Sequence, residues 1–117
     1  MNNCNLTGVV PRTVRQLLSL RHLDLSHNNL SGSLPDTMIF LSQLNYLSVG
    51  TNQLTGQFPD WAETMYGLEV LDVASNRLTG IVDENIATLA KLSKVLVRWM
   101  VWLRTLCRRW TNDDCCF

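Results

Sequence analysis

The chain has 117 residues, and its ten basic and ten acidic side chains give a formal charge of zero at neutral pH. That length suits one modest domain, and the balance excludes a basic surface for nucleic acid or an acidic one spread over the whole chain. Charged residues supply 17% of the sequence, below the usual quarter, so apolar and amide side chains must carry the pattern.

The opening MNNCNLTG is polar and lacks the basic-then-apolar build of a secretory signal peptide. From there the text repeats. Leu6, Leu30, Leu54 and Leu78 stand 24 residues apart, as do Gly8, Gly32, Gly56 and Gly80. Pro11, Pro35 and Pro59 keep the step until Asp83 breaks it. Leu17, Leu41, Met65 and Leu89 form another column, and Leu20, Leu44, Leu68 and Leu92 one more. Cys4, Asn28, Asn52 and Asn76 fill the last. A fixed interval held by so many columns is the mark of a repeat architecture.

Each column has a physical role. Leu23-Asp24-Leu25, Leu47-Ser48-Val49 and Leu71-Asp72-Val73 alternate apolar with polar, which predicts short strands with one buried side. Stacking the coils pairs these strands in parallel and merges their leucines into one core. At Asn28, Asn52 and Asn76 the chain bends, and a buried amide there can satisfy backbone groups left unpaired. A thiol at Cys4 would do so more weakly. Glycine then gives the turn its freedom, and Pro with the residue after it starts a short helical segment. Val14, Met38, Ala62 and Ile86 are that segment's inward anchors, with Trp61 as packing or a small surface patch.

The pattern LxxLxxLxLxxNxLxGxxP, matched nearly position for position by LRHLDLSHNNLSGSLPDTMIFLSQ (20 to 43), resembles the plant-type leucine-rich repeat. The resemblance covers about residues 4 to 97. It implies an α/β solenoid: a right-handed superhelix of 24-residue coils, with short parallel strands on the concave face and short helical turns on the convex side. Proteins of this type are chiefly ectodomains of receptor-like kinases and receptor-like proteins, plus secreted inhibitors of cell-wall hydrolases. The expected activity is therefore non-catalytic recognition of a protein or peptide, as in cell-surface signalling or defence. A hydrolase inhibitor, an intracellular scaffold and a truncated chain without function are the alternatives. A co-receptor or a glycan is a further expected partner class; nucleic acid is not. By the same resemblance the chain belongs at the cell surface, although it begins mid-repeat without a signal peptide and reads as part of a larger receptor-like protein.

Residues 1 to 97 are thus expected to form the solenoid, and 98 to 117 a non-repeat tail. Where the fifth coil calls for Asn and Gly, the chain has Met100 and Arg104. Residues 95 to 110 make a helical wheel with Val95, Trp99, Trp102, Leu103, Leu106 and Trp110 on one side and Arg98, Arg104, Arg108 and Arg109 on the other. Three readings stand: a C-terminal amphipathic helix that caps the last coil, a basic segment for an anionic membrane or a partner, or a shifted frame after a truncated array. VLVRWMVWL is too short, and too charged at Arg98, to cross a bilayer. Cys107, Cys115 and Cys116 crowd the end and suggest no disulfide framework.

The outward strand positions supply the expected ligand face: His22, Asp24, Ser26, Tyr46, Ser48, Val70, Asp72 and Lys94. Tyr46 is the best anchor, because it offers large contact area at low entropic cost. Ser48, Gly50 and Ala74 are small enough to let an extended chain lie close. A catalytic use of His22 with Asp24 and Ser26, or of Asp24 with Asp72, has no third element to close over it. A metal site from His22, Asp24 and His27 lacks convergence. No enzyme activity, cofactor or metal is expected. Asn5-Leu6-Thr7 and Asn29-Leu30-Ser31 are glycosylation acceptor triplets, with Asn29 expected to project outward.

Overall fold

A computed structural model of the chain describes residues 2–80 and 91–96. Ile86, the end of the solenoid at residue 97 and the tail 98 to 117, with its expected capping helix, lie outside the described residues.

Three-residue strands set the frame: β1 (Thr7–Val9), β2 (His22–Asp24), β3 (Asn29–Ser31), β4 (Tyr46–Ser48), β5 (Val70–Asp72) and β6 (Lys94–Leu96). They form two parallel sheets, one of four strands in the order β2-β4-β5-β6 and one of two, β1-β3. In the larger sheet Leu23 pairs with Leu47, Leu47 with Leu71, and Leu71 with Val95. The leucine column therefore runs from strand to strand on one side of the sheet. Leu47 and Leu71 are fully buried, as the alternation of side-chain direction requires.

The smaller sheet was not legible in the sequence. HNNLSGSLPD reads as bend and turn, yet Asn29–Ser31 inside it is a strand paired with Thr7–Val9. Only Leu30 of those three residues is buried, so the alternation is too brief to register. The ladder continues without further strands: Gln53 N–H donates to the Leu30 carbonyl at 2.8 Å and Thr55 N–H to Gly32 at 2.9 Å. Arg77 and Thr79 repeat this with Leu54 and Gly56, both at 2.8 Å.

Between the sheets three 3₁₀ turns are described, one per coil: Arg12–Gln16, Asp36–Phe40 and Asp60–Thr64. Pro11, Pro35 and Pro59 precede them with φ of −75°, −70° and −73°, the range the pyrrolidine ring imposes. The N–H of the residue after each turn bonds the carbonyl three residues back, as Leu41 does with Met38 at 3.0 Å. Five residues between the proline and the apolar residue that closes the turn (Leu17, Leu41 or Met65) leave room for this tight form. Met38 and Ala62 are fully buried and Val14 nearly so, while Trp61 packs into the core at 9% exposure. Leu17 departs from its column, being 52% exposed where Leu41 is buried.

The core is one continuous cluster from Val10 to Leu92. The bends that enclose it use left-handed backbone at residues other than glycine: His27, Thr51 and Ser75 have φ of 53°, 56° and 54°. Each directly precedes an asparagine of the repeat.

Candidate ligand-binding face

The asparagines hold this frame from inside. Asn52 Oδ1 accepts from Leu30 N–H at 3.0 Å, and its Nδ2 donates to the carbonyls of Leu25 at 2.9 Å and Val49 at 3.0 Å. Asn76 does the same with Leu54 N–H and the Val49 carbonyl, at 3.0 and 2.9 Å. Asn28 accepts from the amides of Cys4 and Leu6 and donates to the carbonyls of Leu25 and Ser26. Cys4 itself is exposed, and its thiol donates to the Asn2 carbonyl at 3.1 Å. Each asparagine thus ties its own bend to the preceding coil, and no described buried side-chain polar atom lacks a partner.

On the open side of the larger sheet the register sets His22 beside Tyr46, Tyr46 beside Val70 and Val70 beside Lys94. The rings of His22 and Tyr46 stack, with centroids 4.0 Å apart and planes 8° from parallel. His22 is exposed; Tyr46 and Val70 are half-buried. Because the stack runs from strand to strand, it turns ring edges toward whatever lies above.

The next row, Asp24, Ser48 and Asp72, behaves differently from a free ligand surface. Ser48 is only 2% exposed and Ser26 only 7%, so neither offers the open small-residue floor its outward position suggests. The cause is carboxylates folding over them. Ser48 Oγ donates to Asp72 at 2.9 Å and Ser26 Oγ to Asp24 at 2.6 Å. Asp72 also accepts from Ala74 N–H, and Asp24 from Ser26 N–H and from Asn2 Nδ2, all at 3.0 Å. Partial burial pushes the Asp24 carboxyl up, but the bonds from the Ser26 hydroxyl, the Ser26 amide and Asn2 outweigh it and hold the group below the usual carboxylate range. Gly50, buried between them, is needed for space: a Cβ there would meet the Asp72 oxygens at 2.6 and 2.7 Å.

Of the groups named for catalysis, these contacts join Ser26 to Asp24 and hold His22 on Tyr46. Among the described residues no group of three or more His, Cys, Asp or Glu is arranged to hold a metal ion. On the other flank, Asn29 is exposed on β3 and its side-chain oxygen accepts from Gln53 Nε2. Asn5 is exposed in the left-handed region at φ 54°.

Family models described as leucine rich repeat match residues 1–54 and 67–89. The chain belongs to the leucine-rich repeat family. Its likeness is to plant receptors. A plant peptide hormone receptor, RGFR1, in complex with RGF2 shares 26% identity over 85% of this chain at a TM-score of 0.77. PEPR1–AtPEP1 shares 35% over 82%, also at 0.77. The leucine-rich repeat ectodomain of the Arabidopsis receptor kinase HAESA, in complex with an N-terminal extended IDA peptide hormone ligand, shares 26% over 80% at 0.76. The chain spans only 16%, 14% and 16% of those three chains. None of the curated proteins compared with this leucine-rich repeat chain matches it. No helix among the described residues is long and apolar enough to cross a membrane.

Proposed function

We propose that this leucine-rich repeat chain binds an extended protein or peptide segment across the open face of its larger sheet, without catalysing a reaction. The stacked pair His22 and Tyr46 carries the reading. Ring edges present the tyrosine hydroxyl and the imidazole nitrogens, groups that pair with peptide carbonyls, amides or carboxylates. A sugar ring would seek an aromatic face, and the facing surfaces here are already used on each other. Val70 and Lys94 extend the row with an apolar and a cationic position. Asp24 and Asp72 serve this face indirectly, by fixing the bends beneath it.

Two of the similar structures are a plant peptide hormone receptor and a receptor kinase ectodomain, each in complex with its ligand. That likeness supports placing the binding face outside the cell, in receptor signalling or defence. In this reading residues 1 to 97 are the recognition solenoid, wound right-handed in 24-residue coils, and 98 to 117 a separate tail. Asn29, exposed on the flanking sheet, is then an acceptor for a glycan that leaves the binding face clear, and Asn5 a second one.

Selection of a random peptide library on the immobilised chain tests the reading. Selected peptides should bind Tyr46→Ala and His22→Ala at least tenfold more weakly, the loss of a central anchor. Peptides indifferent to both substitutions would place binding elsewhere and overturn it.

A further inference from the structure

The 3₁₀ turns carry a pattern that recognition on the sheet does not use. At the outward positions of the first turn stand Arg15 and Gln16, and in the third Glu63 and Thr64. The middle turn has Ile39 and Phe40 instead, 44% and 56% exposed. Charge follows the same axis. Arg12 and Arg15 lie in the first turn; Asp60 and Glu63 lie in the third. These turns share one open depression of about 620 Å³, to which Arg15, Phe40 and Asp60 all contribute. Thr37 Oγ1, donating to the Arg12 carbonyl at 2.9 Å, locks the first two turns side by side.

The order cation, apolar, anion across three stacked turns is self-complementary. We propose that this convex patch docks against the same patch of a second copy of the chain, with the two stacks of coils antiparallel. A two-fold axis lying over the middle turn keeps each column on itself and reverses the order of coils. Ile39 and Phe40 then meet their own counterparts, and Arg12 faces Asp60 of the second copy. Leu18 and Tyr66, 59% and 70% exposed, hold equivalent positions in the outer coils and are brought together by the same operation. Asp36 sits near the axis, where Arg12 at 3.0 Å in its own chain offsets its charge. A formal net charge of zero leaves no overall repulsion to overcome. Three coils at ~4.8 Å spacing make a small contact, so the association is weak.

Sedimentation equilibrium of the full chain, taken to ~1 mM because a small contact demands it, should give a reversible monomer–dimer equilibrium. Phe40→Asp and Ile39→Lys should each abolish the dimer, while far-ultraviolet circular dichroism stays unchanged because both side chains lie outside the core. Asp60→Arg sets like charges together at both symmetric contacts and should weaken association by roughly fivefold or more. Adding Arg12→Asp reverses both partners and should restore it, since the introduced guanidinium then faces the introduced carboxylate, with Asp36 beside it, on the other copy. A monomer at the highest concentration overturns the proposal. So does a dimer that ignores Phe40→Asp and Ile39→Lys, or a double swap that fails to recover what Asp60→Arg lost.

Discussion

The carboxylate of Asp72 occupies the space in which a side chain on Gly50 would stand, its two oxygens 2.6 and 2.7 Å from the position of a Cβ. From there it accepts from Ser48 Oγ in the preceding coil and from Ala74 N–H in its own. Gly50→Ala must displace it and loosen both bonds, at a cost of about 1–2 kcal/mol. Chemical denaturation of Gly50→Ala, Asp72→Ala and the double variant checks this. The double variant should be less destabilised than the two single losses added together, because without the carboxylate the methyl group meets nothing.

Asp24 gives the molecule an acid limit with a definite sign. Its folded-state carboxyl titrates below the usual range, so its stabilising bonds are fully present above the unfolded value. They are lost as pH falls through the lower folded one. Stability should therefore decline below a pH of about 4, the ordinary range of an aspartate. Ser26→Ala removes the hydroxyl donor at 2.6 Å and should move the Asp24 titration upward, followed by carbon-detected NMR. An unchanged titration would mean that the hydroxyl does not hold the charge.

What was legible in the sequence divides along physical lines. Leu23, Leu47 and Leu71 must share one buried side, and alternation with polar neighbours states that directly; the register obeys it. The row of His22, Tyr46 and Val70 follows from the same alternation. Pattern does not say how long a polar side chain reaches. Ser26 and Ser48 point outward yet are covered, because aspartates two residues or one coil away fold onto their hydroxyls. The second sheet escaped notice because three residues with a single buried leucine carry almost no periodicity. The self-complementary charge of the turns was present in the letters Arg12, Arg15, Asp60 and Glu63, but only stacking puts them on one face.

Thr51 is a β-branched residue held at φ 56°, a conformation that crowds its Cβ against the backbone. The bend keeps it there because its N–H donates to the Ala74 carbonyl at 2.8 Å. Asparagine tolerates that region far better, and the side chain at 51 is exposed. Thr51→Asn should raise stability by about 0.5–1 kcal/mol, the local strain relieved. Thermal melts of the two chains at one concentration check it, and a lower midpoint for the variant would refute it.

Asn52 concentrates more of the inter-coil bonding than any neighbouring apolar contact can replace. Its amide accepts from Leu30 N–H and donates to Leu25 and Val49 carbonyls, at 2.9 to 3.0 Å. Two of those three groups belong to the preceding coil, so Asn52→Ala orphans the Leu30 N–H and strips one of two amide donors from the Leu25 and Val49 carbonyls, which keep Asn28 and Asn76. One buried orphan costs about 1–3 kcal/mol, and the loss should fall in that range because the two carbonyls retain a donor each. Because the coils stack in one dimension, the damage should be local before it is global. Hydrogen exchange should quicken first at Leu30 and Gln53, on either side of the lost amide, while Leu71 and its strand neighbours stay protected until the whole chain opens. Uniform acceleration along the chain would show instead that the asparagines act through global stability alone.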